Sequence, residues 1–487
     1  MSKWDTAFLL GSGLGGLSCG VQLARMGHQV TVLEQSPQAG GCLQSFYRHG
    51  HRWETGMHFV GSYEEGQVLH PLLQDYNLHL PLVPLDAGGY EQIHLEGQSF
   101  AYAKGDAFVD VLAQHFPQER DNLWKYLQLV RKIMHVSSIH HETNLTEQLH
   151  TMQEYQSRSV DSILESMIGD ATLRQVLVGN LPLYAGRKGQ TPFATHAFIT
   201  EFYNASAARI AGGSQIIAEQ LIQQLEQLGG KVLTRQRVTE IHYNHSQATG
   251  VTTAKGAHFP ADCIVSTLHP QALLSLLPDT PLLRPAYKRR IAALPNTVGC
   301  FTLYLAFRPK SLPYLNANQY VYHTSPWDCE DYTTDDWPRG FLYMHQCEQP
   351  HQQWATTAEV IAYVRYEEMQ PWENSFVGHR GSSYEMWKAA RTEQLLAALE
   401  QQFPGTRACI SRVYSSSPLT YRDYTGTVGG SLYGIARDLS LGAAGRVATR
   451  TRIPNLFLSG QNINSHGILG TLVGTHLAVS EIKRSWD

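Results

Sequence analysis

Asp5-Thr6-Ala7-Phe8-Leu9-Leu10-Gly11-Ser12-Gly13-Leu14-Gly15-Gly16, then an apolar-patterned run from Leu17 to Met26, then Val30-Thr31-Val32-Leu33-Glu34, open this chain. The order is buried strand, glycine loop, helix, second strand and terminal acid, which is that of a dinucleotide-binding βαβ unit. Gly11 permits the tight turn. Gly13 lets a pyrophosphate approach the backbone, where helix N–H groups and the helix dipole meet its charge. Gly16 lets the helix pack close to the strand, and Ser12, Leu14 and Gly15 complete the loop. Glu34 lies 34 − 16 = 18 residues past the last glycine, where a carboxylate accepts hydrogen bonds from a ribose, and Gln35 follows it.

The residues after Glu34 discriminate between dinucleotides. Gly40-Gly41-Cys42 comes within a few residues, and Trp53-Glu54-Thr55-Gly56-Met57-His58-Phe59-Val60-Gly61 soon after. A cofactor longer than NAD needs further places of close backbone approach, and glycine supplies them. FAD is therefore the expected cofactor. Gly40-Gly41-Cys42 and Glu54-Thr55-Gly56-Met57-His58 resemble the retinol saturase and carotenoid isomerase branch of the phytoene desaturase superfamily. Phytoene desaturases proper usually carry a basic residue at the place of Cys42 and no histidine at that of His58.

The C-terminal region agrees. Ile453 to Gly460 reads as a strand entering a glycine turn, Gln461 to Gly470 as a loop, and Thr471 to Lys483 as a closing helix. Gly470, Gly474 and Ala478 form one small-residue stripe on that helix. Gly460-Gln461-Asn462 and Gly467-Ile468-Leu469-Gly470-Thr471-Leu472 are similar to the last FAD-contacting segment of the retinol saturases. The resemblance places Gly460, Gln461, Ile468, Leu469 and Gly470 against the pyrophosphate, ribityl and flavin, and Val238 at the adenine edge. The superfamily usually has an acid where this chain has Gln461, so no ionic contact is expected there.

The resemblance spans nearly the whole chain. It implies an α/β fold: a Rossmann-like FAD-binding domain of glutathione-reductase/amine-oxidase type with an interleaved α+β substrate domain. Residues 1–66, 206–280 and 410–487 are expected to form the discontinuous FAD domain, and 67–205, largely helical, with 281–409 the substrate domain. Gly212-Gly213-Ser214 reads as the cap of a helix over 215–228. Val238 to Ile241, Val251 and Ala261 to Ser266 read as a continuation of the nucleotide sheet, and Gly299 to Phe307 with Val360 to Tyr366 as a separate antiparallel sheet.

The 487 residues carry 43% hydrophobic residues and a net charge of −4, enough for large cores and against a nucleic-acid partner. The 7 cysteines are scattered, without a CxxC pair, which points to a reducing, cytoplasmic setting. The first strand begins so early that no signal peptide is expected, and no run approaches the ~20 apolar residues of a membrane span. Among the 23 histidines, His140-His141-Glu142 is the densest cluster, and His49 and His51 share one face of a possible strand. Neither has metal-ligand spacing, so no metal is expected.

A polyene has no amine lone pair and no acidic C–H; its double bonds accept or lose a hydride at flavin N5. The protein must exclude water, orient the chain and move a proton. His58 and His466, from the two flavin-type segments, are the catalytic candidates, with Tyr184 and Tyr433 behind them. The expected partner is a small hydrophobic isoprenoid, for saturation, desaturation or isomerisation, with NAD(P)H as one open source of electrons and the oligomeric state open. Pro281-Leu282-Leu283-Arg284-Pro285 with Lys288-Arg289-Arg290 pairs apolar and basic residues as a peripheral membrane contact would. Two other readings stay open: a flavin amine oxidase, which often has a lysine near flavin N5, and a non-enzymatic prenyl-group escort on the same architecture.

Overall fold

The computed structural model describes residues 4–137 and 145–485. His140-His141-Glu142 lies outside the described residues. The first strand, Thr6–Leu10, is the centre of a five-stranded parallel sheet in the order Lys231–Leu233, Gln29–Leu33, Thr6–Leu10, Cys263–Ser266, Leu456–Leu458. Ala7, Leu9, Val30, Val32, Ile264 and Val265 are all buried. Such unbroken apolar runs suit strands covered on both faces. The first helix starts at Leu14, earlier than expected, because Gly13 adopts φ −64, ψ 176 and ends the extended loop there. It packs on the last helix, Gly467–Arg484, where Ser18 Oγ lies 2.9 Å from Thr475 Oγ1.

The segment after Val238 departs from expectation. Val238–Tyr243, Ala248–Thr253 and His258–Pro260 form their own antiparallel sheet. Short hairpin connections join antiparallel neighbours, whereas entry into a parallel sheet needs a long crossover. Only Cys263–Ser266 returns to the nucleotide sheet.

The second large sheet has seven strands in the order Ile410–Ser416, Gly299–Phe307, Thr357–Val364, Gly340–His345, Asn318–Tyr322, Glu91–Leu95, Gln98–Tyr102. All neighbours are antiparallel except Asn318–Tyr322 and Glu91–Leu95. The outer strand Ile410–Ser416 falls within the expected nucleotide segment 410–487 yet pairs here, and the hairpin over 91–102 falls within the segment read as largely helical. One face, with Phe301, Leu303, Val360 and Ala362, packs on Leu395 and Leu399 of the Ser382–Gln402 helix. The other face, with Tyr320, Tyr322, Leu342 and Tyr363, meets a helical lobe that includes Arg120–Ser137 and Phe193–Ala205. No helix among the described residues is long and apolar enough to cross a membrane.

Candidate active site

The carboxyl ends of the first two strands open into a cavity of about 470 Å3 that runs on to the helical-lobe face of the seven-stranded sheet. Gly11, Ser12, Gly13, Leu14, Gly15, Glu34, Gln35, Gly41, Cys42, Gly56, Met57, His58, Val238, Gly460, Gln461 and Ile468 all line it. Five expected residues do not, for separate steric reasons. A Cβ on Gly16 would sit 1.9 Å from Gly11 O, so Gly16 serves the turn itself. Gly40 donates its N–H to Ser12 Oγ at 3.2 Å behind the loop. Leu469 points into the core beneath the first helix. A Cβ on Gly470 would meet Ser465 Cβ at 2.6 Å, so the stripe on the last helix receives its own preceding loop rather than a ligand.

His466 is the fifth. It caps the last helix with its ring 4.3 Å from that of Tyr433 and its Nε2 3.2 Å from Leu183 O. Burial pushes its pKa down to about 4. Tyr433 stands on the cavity wall and donates its hydroxyl to Pro182 O at 2.8 Å. Tyr184 is off the wall, its hydroxyl 2.9 Å from His196 Nδ1.

At the nucleotide end, a Cβ on Gly13 would meet no heavy atom within 4 Å. The helix that follows has no side-chain cap and no acid in its first turn. Gly16 N–H turns back to Gly13 O at 3.0 Å, which leaves the N–H groups of Leu14 and Gly15 at the helix start for a ligand, the arrangement that binds a pyrophosphate. Gly41, at φ +55, packs where a Cβ would lie 2.9 Å from Gly13 Cα, so the second glycine pair also braces the first loop. Glu34 Oε2 accepts from Ser12 N at 3.0 Å and Ser12 Oγ at 2.5 Å, and Oε1 from Ser36 N at 2.8 Å. The acid is thus fixed at the rim of that space. Residues present here suit a dinucleotide.

Beyond the loops, the hairpin of Ser45–Arg48 and His51–Glu54 is clamped from below. The Glu54 carboxylate pairs with Arg52 and accepts from Ser214 N at 3.0 Å, Ser214 Oγ at 2.5 Å and Ser45 Oγ at 3.0 Å. Ser214, read in the sequence as a helix cap, spends its hydroxyl on this anchor. Burial raises the Glu54 pKa, with Arg52 opposing it. The anchored strand carries Gly56, Met57 and His58 onto the cavity wall. His58 Nδ1 lies 2.9 Å from Oε2 of Glu359, a residue of the Thr357–Val364 strand.

The sheet supplies the apolar floor. Tyr322 pairs with Gly340 and Leu342 with Ile361, so these residues and Tyr363 share one face. The Tyr322 hydroxyl donates to Gly179 O at 2.5 Å and that of Tyr363 reaches Leu181 O at 3.5 Å. With their hydroxyls tied to the helical lobe, the tyrosines offer rings to the cavity. Glu359 and the floor residues were not singled out in the sequence. They sit in strands whose apolar pattern reads as packing, and only the lone acid within Thr357-Ala358-Glu359-Val360-Ile361 signals anything else.

The remaining expectations resolve locally. Burial raises the Cys42 pKa, consistent with a small wall residue rather than a nucleophile. His49 Nδ1 lies 2.6 Å from the Tyr414 hydroxyl, and no metal-holding group of His, Cys, Asp and Glu exists among the described residues. In the basic segment after Pro281, Leu283 is buried, Lys288 pairs with Asp279 at 2.9 Å and Arg290 donates to Ala444 O and Arg446 O. Arg284, Pro285 and Arg289 of the same segment are exposed.

A parallel nucleotide sheet and an antiparallel sheet that meet over one cavity define an oxidoreductase fold of the flavin-binding kind. Residues 14–339 match the family of flavin containing amine oxidoreductases, and the chain belongs to that family. Among curated proteins it is 26% identical over 519 aligned positions to all-trans-retinol 13,14-reductase of Homo sapiens, covering 97% of this chain and 85% of that protein. It is 21% identical over 485 positions to prolycopene isomerase 1 of an Oncidium hybrid cultivar, covering 94% of this chain and 80% of that protein. Its fold is similar to the crystal structure of an oxidoreductase from Methanosarcina mazei, with a TM-score of 0.68 at 16% identity over 98% of this chain and 100% of that one.

Proposed function

We propose that this chain is an FAD-dependent oxidoreductase acting on carbon–carbon double bonds of a hydrophobic isoprenoid polyene. The observation that carries the reading is the cavity itself. It joins an anion-ready glycine loop to a floor of Tyr322, Leu342, Ile361 and Tyr363, with His58 at the junction. The two curated relatives above are named for a retinoid and a carotenoid. The Gly11–Gly15 loop would hold the pyrophosphate, Glu34 the ribose, Val238 the adenine edge, and Gly41-Cys42, Gly56-Met57 and Gly460-Gln461 the ribityl and ring.

The flavin, when bound, takes up or delivers a hydride. The floor excludes water and aligns an extended apolar chain across the cavity. His58 is the titratable side chain at the junction and moves the accompanying proton. Tyr433 borders the same space, and His466 supports it from behind. Amine oxidation is the weaker reading, because no lysine is among the residues that line the cavity. An escort without cofactor is disfavoured by the open position at Gly13.

The test is reconstitution with FAD, then incubation with all-trans-retinol and with a cis-carotenoid, the flavin oxidised in one arm and reduced by NAD(P)H or dithionite in the other. Yellow protein that saturates, desaturates or isomerises either polyene is the expected result. Protein that binds no flavin, or binds it and leaves both polyenes unchanged while oxidising amines, overturns the reading.

A further inference from the structure

Glu359 lies near the middle of an otherwise apolar strand and is 0% exposed. A buried carboxylate without compensation costs several kcal/mol, so its partners define its purpose. Oε1 accepts from Glu54 N at 2.8 Å and from Gln346 Nε2 at 3.0 Å. Those two bonds fix the carboxylate plane between the anchored hairpin and the Gly340–His345 strand. Oε2 is left facing His58 Nδ1 at 2.9 Å. Both atoms are buried and neither has an aligned hydrogen-bond partner, so the contact is an ion pair across 2.9 Å, while the His58 side chain keeps 14% exposure on the edge bearing Nε2.

We infer that Glu359 is the positioning residue of the site, holding His58 by Nδ1 so that Nε2 is presented to the substrate as the proton-transferring atom. The inference rests on the flavin reading of the cavity and assigns the part played by a residue outside the cavity wall. The charged groups around the ring are Glu359 from the Thr357–Val364 strand, Glu54 from the His51–Glu54 strand and Arg209 from the Ala207–Ile210 strand. Burial disfavours a proton on the ring, and Arg209 adds to that. Glu359, with Glu54 behind it, outweighs both and leaves His58 with a pKa above the ordinary histidine value. In saturation of a C=C bond the reduced cofactor would supply the hydride for one new C–H bond, and the Nε2–H of protonated His58 would supply the proton for the other. The ring is left neutral until solvent restores its proton. Desaturation runs the same transfers backwards.

The test uses the full chain with isotopically labelled histidine, titrated by NMR with and without FAD, the His58 signal assigned by its loss in His58→Ala. Glu359→Gln is expected to lower the His58 titration midpoint. In FAD-loaded protein the same variant is expected to cut turnover at pH 7.5 by about tenfold or more, to move the basic limb of the pH profile down with it, and to leave FAD affinity and KM near wild type. An unchanged midpoint, or a turnover loss equal at every pH, overturns the inference. If Glu359→Gln does not fold, a wild-type His58 midpoint at or below that of free histidine overturns it as well. Failure of the wild type to bind FAD would instead sink the flavin reading, while the midpoint in cofactor-free protein still decides whether the pair exists.

Discussion

Alanine at Gly13 should separate cofactor binding from folding. A Cβ there meets nothing within 4 Å, and φ −64, ψ 176 is open to any L residue. In the folded state the cost is that of alanine rather than glycine at an N-cap, about 0.5 kcal/mol. The stiffer unfolded chain returns about 0.4–1 kcal/mol. The two nearly cancel, so the cofactor-free Tm should move by no more than about 2 °C. The new methyl occupies the space where a pyrophosphate would approach the backbone, and FAD affinity should fall on the order of a hundredfold, about 2.7 kcal/mol. Gly16→Ala is the control with the opposite signature. Its Cβ would lie 1.9 Å from Gly11 O, a backbone atom that cannot step aside, so the fold should lose about 3 kcal/mol or more before any cofactor is added. Thermal unfolding of cofactor-free protein and fluorescence titration with FAD measure both effects. Wild-type FAD affinity in Gly13→Ala, or a Tm loss matching that of Gly16→Ala, would refute the reasoning.

Two further outcomes follow from the same geometry. Ile361→Trp fills the sheet floor without touching the glycine loops, so the protein should remain yellow while polyene turnover falls about tenfold or more; undiminished turnover on a long polyene would mean that the substrate lies elsewhere. Stability should rise with pH from about 4.5 to 6.5 and decline above that. Burial holds His196 and His345 down at about 3 and His269 and His466 at about 4, so each takes up a proton only on unfolding, a slope of about 1.4 kcal/mol per pH unit apiece. Burial raises Glu91 to about 8, Glu201 to about 7 and Glu54 as well, so each loses a proton on unfolding and opposes the histidines, which are joined by His94 and His323, also lowered by burial. Above 6.5 the histidines fall silent and the carboxyls remain, joined by His58, whose raised pKa adds stability that is lost as pH climbs. Denaturant midpoints measured every half pH unit check this, and a flat or falling curve from 5 to 6.5 contradicts it.

The nucleotide unit was legible because its constraints are local. Gly11 must adopt φ +99, Gly16 answers to Gly11 O within the same turn, and Glu34 to the loop it faces, so spacing alone locates them. Gly40 and Gly470 show where that legibility stops. Both are glycines in flavin-type segments, yet one bonds Ser12 and the other receives Ser465, contacts that no spacing rule distinguishes from an approach to a cofactor. His58 was visible as a residue but its partner was not. Glu359 is brought to it by the register of the Thr357–Val364 strand against Gly299–Phe307 and Gly340–His345, and strand register is not written in composition or period. The hairpin over 91–102 was lost in a helical segment for a related reason: its strands are short and their worth lies in pairing with Asn318–Tyr322.

The two ends of the cavity are therefore built under unequal constraint. At the nucleotide end, Gly16 and Gly41 have backbone atoms within 3 Å of where a side chain would begin, so Gly16 is bound to the fold and Gly41 to both the fold and the cavity wall. At the other end, Leu342, Ile361 and Tyr363 are side chains on a sheet already secured by its ladder and by the Ser382–Gln402 helix on its far face. Exchange of one apolar residue for another of similar volume there costs under about 1.5 kcal/mol. The shape of the floor can then change without loss of the fold, and on the proposed function selection among polyenes of different length and bend would belong to it. Glu359, held by the Glu54 backbone N–H and the Gln346 amide, stands beside His58 at the join, where on the proposed mechanism a proton would arrive whatever chain lies on the floor.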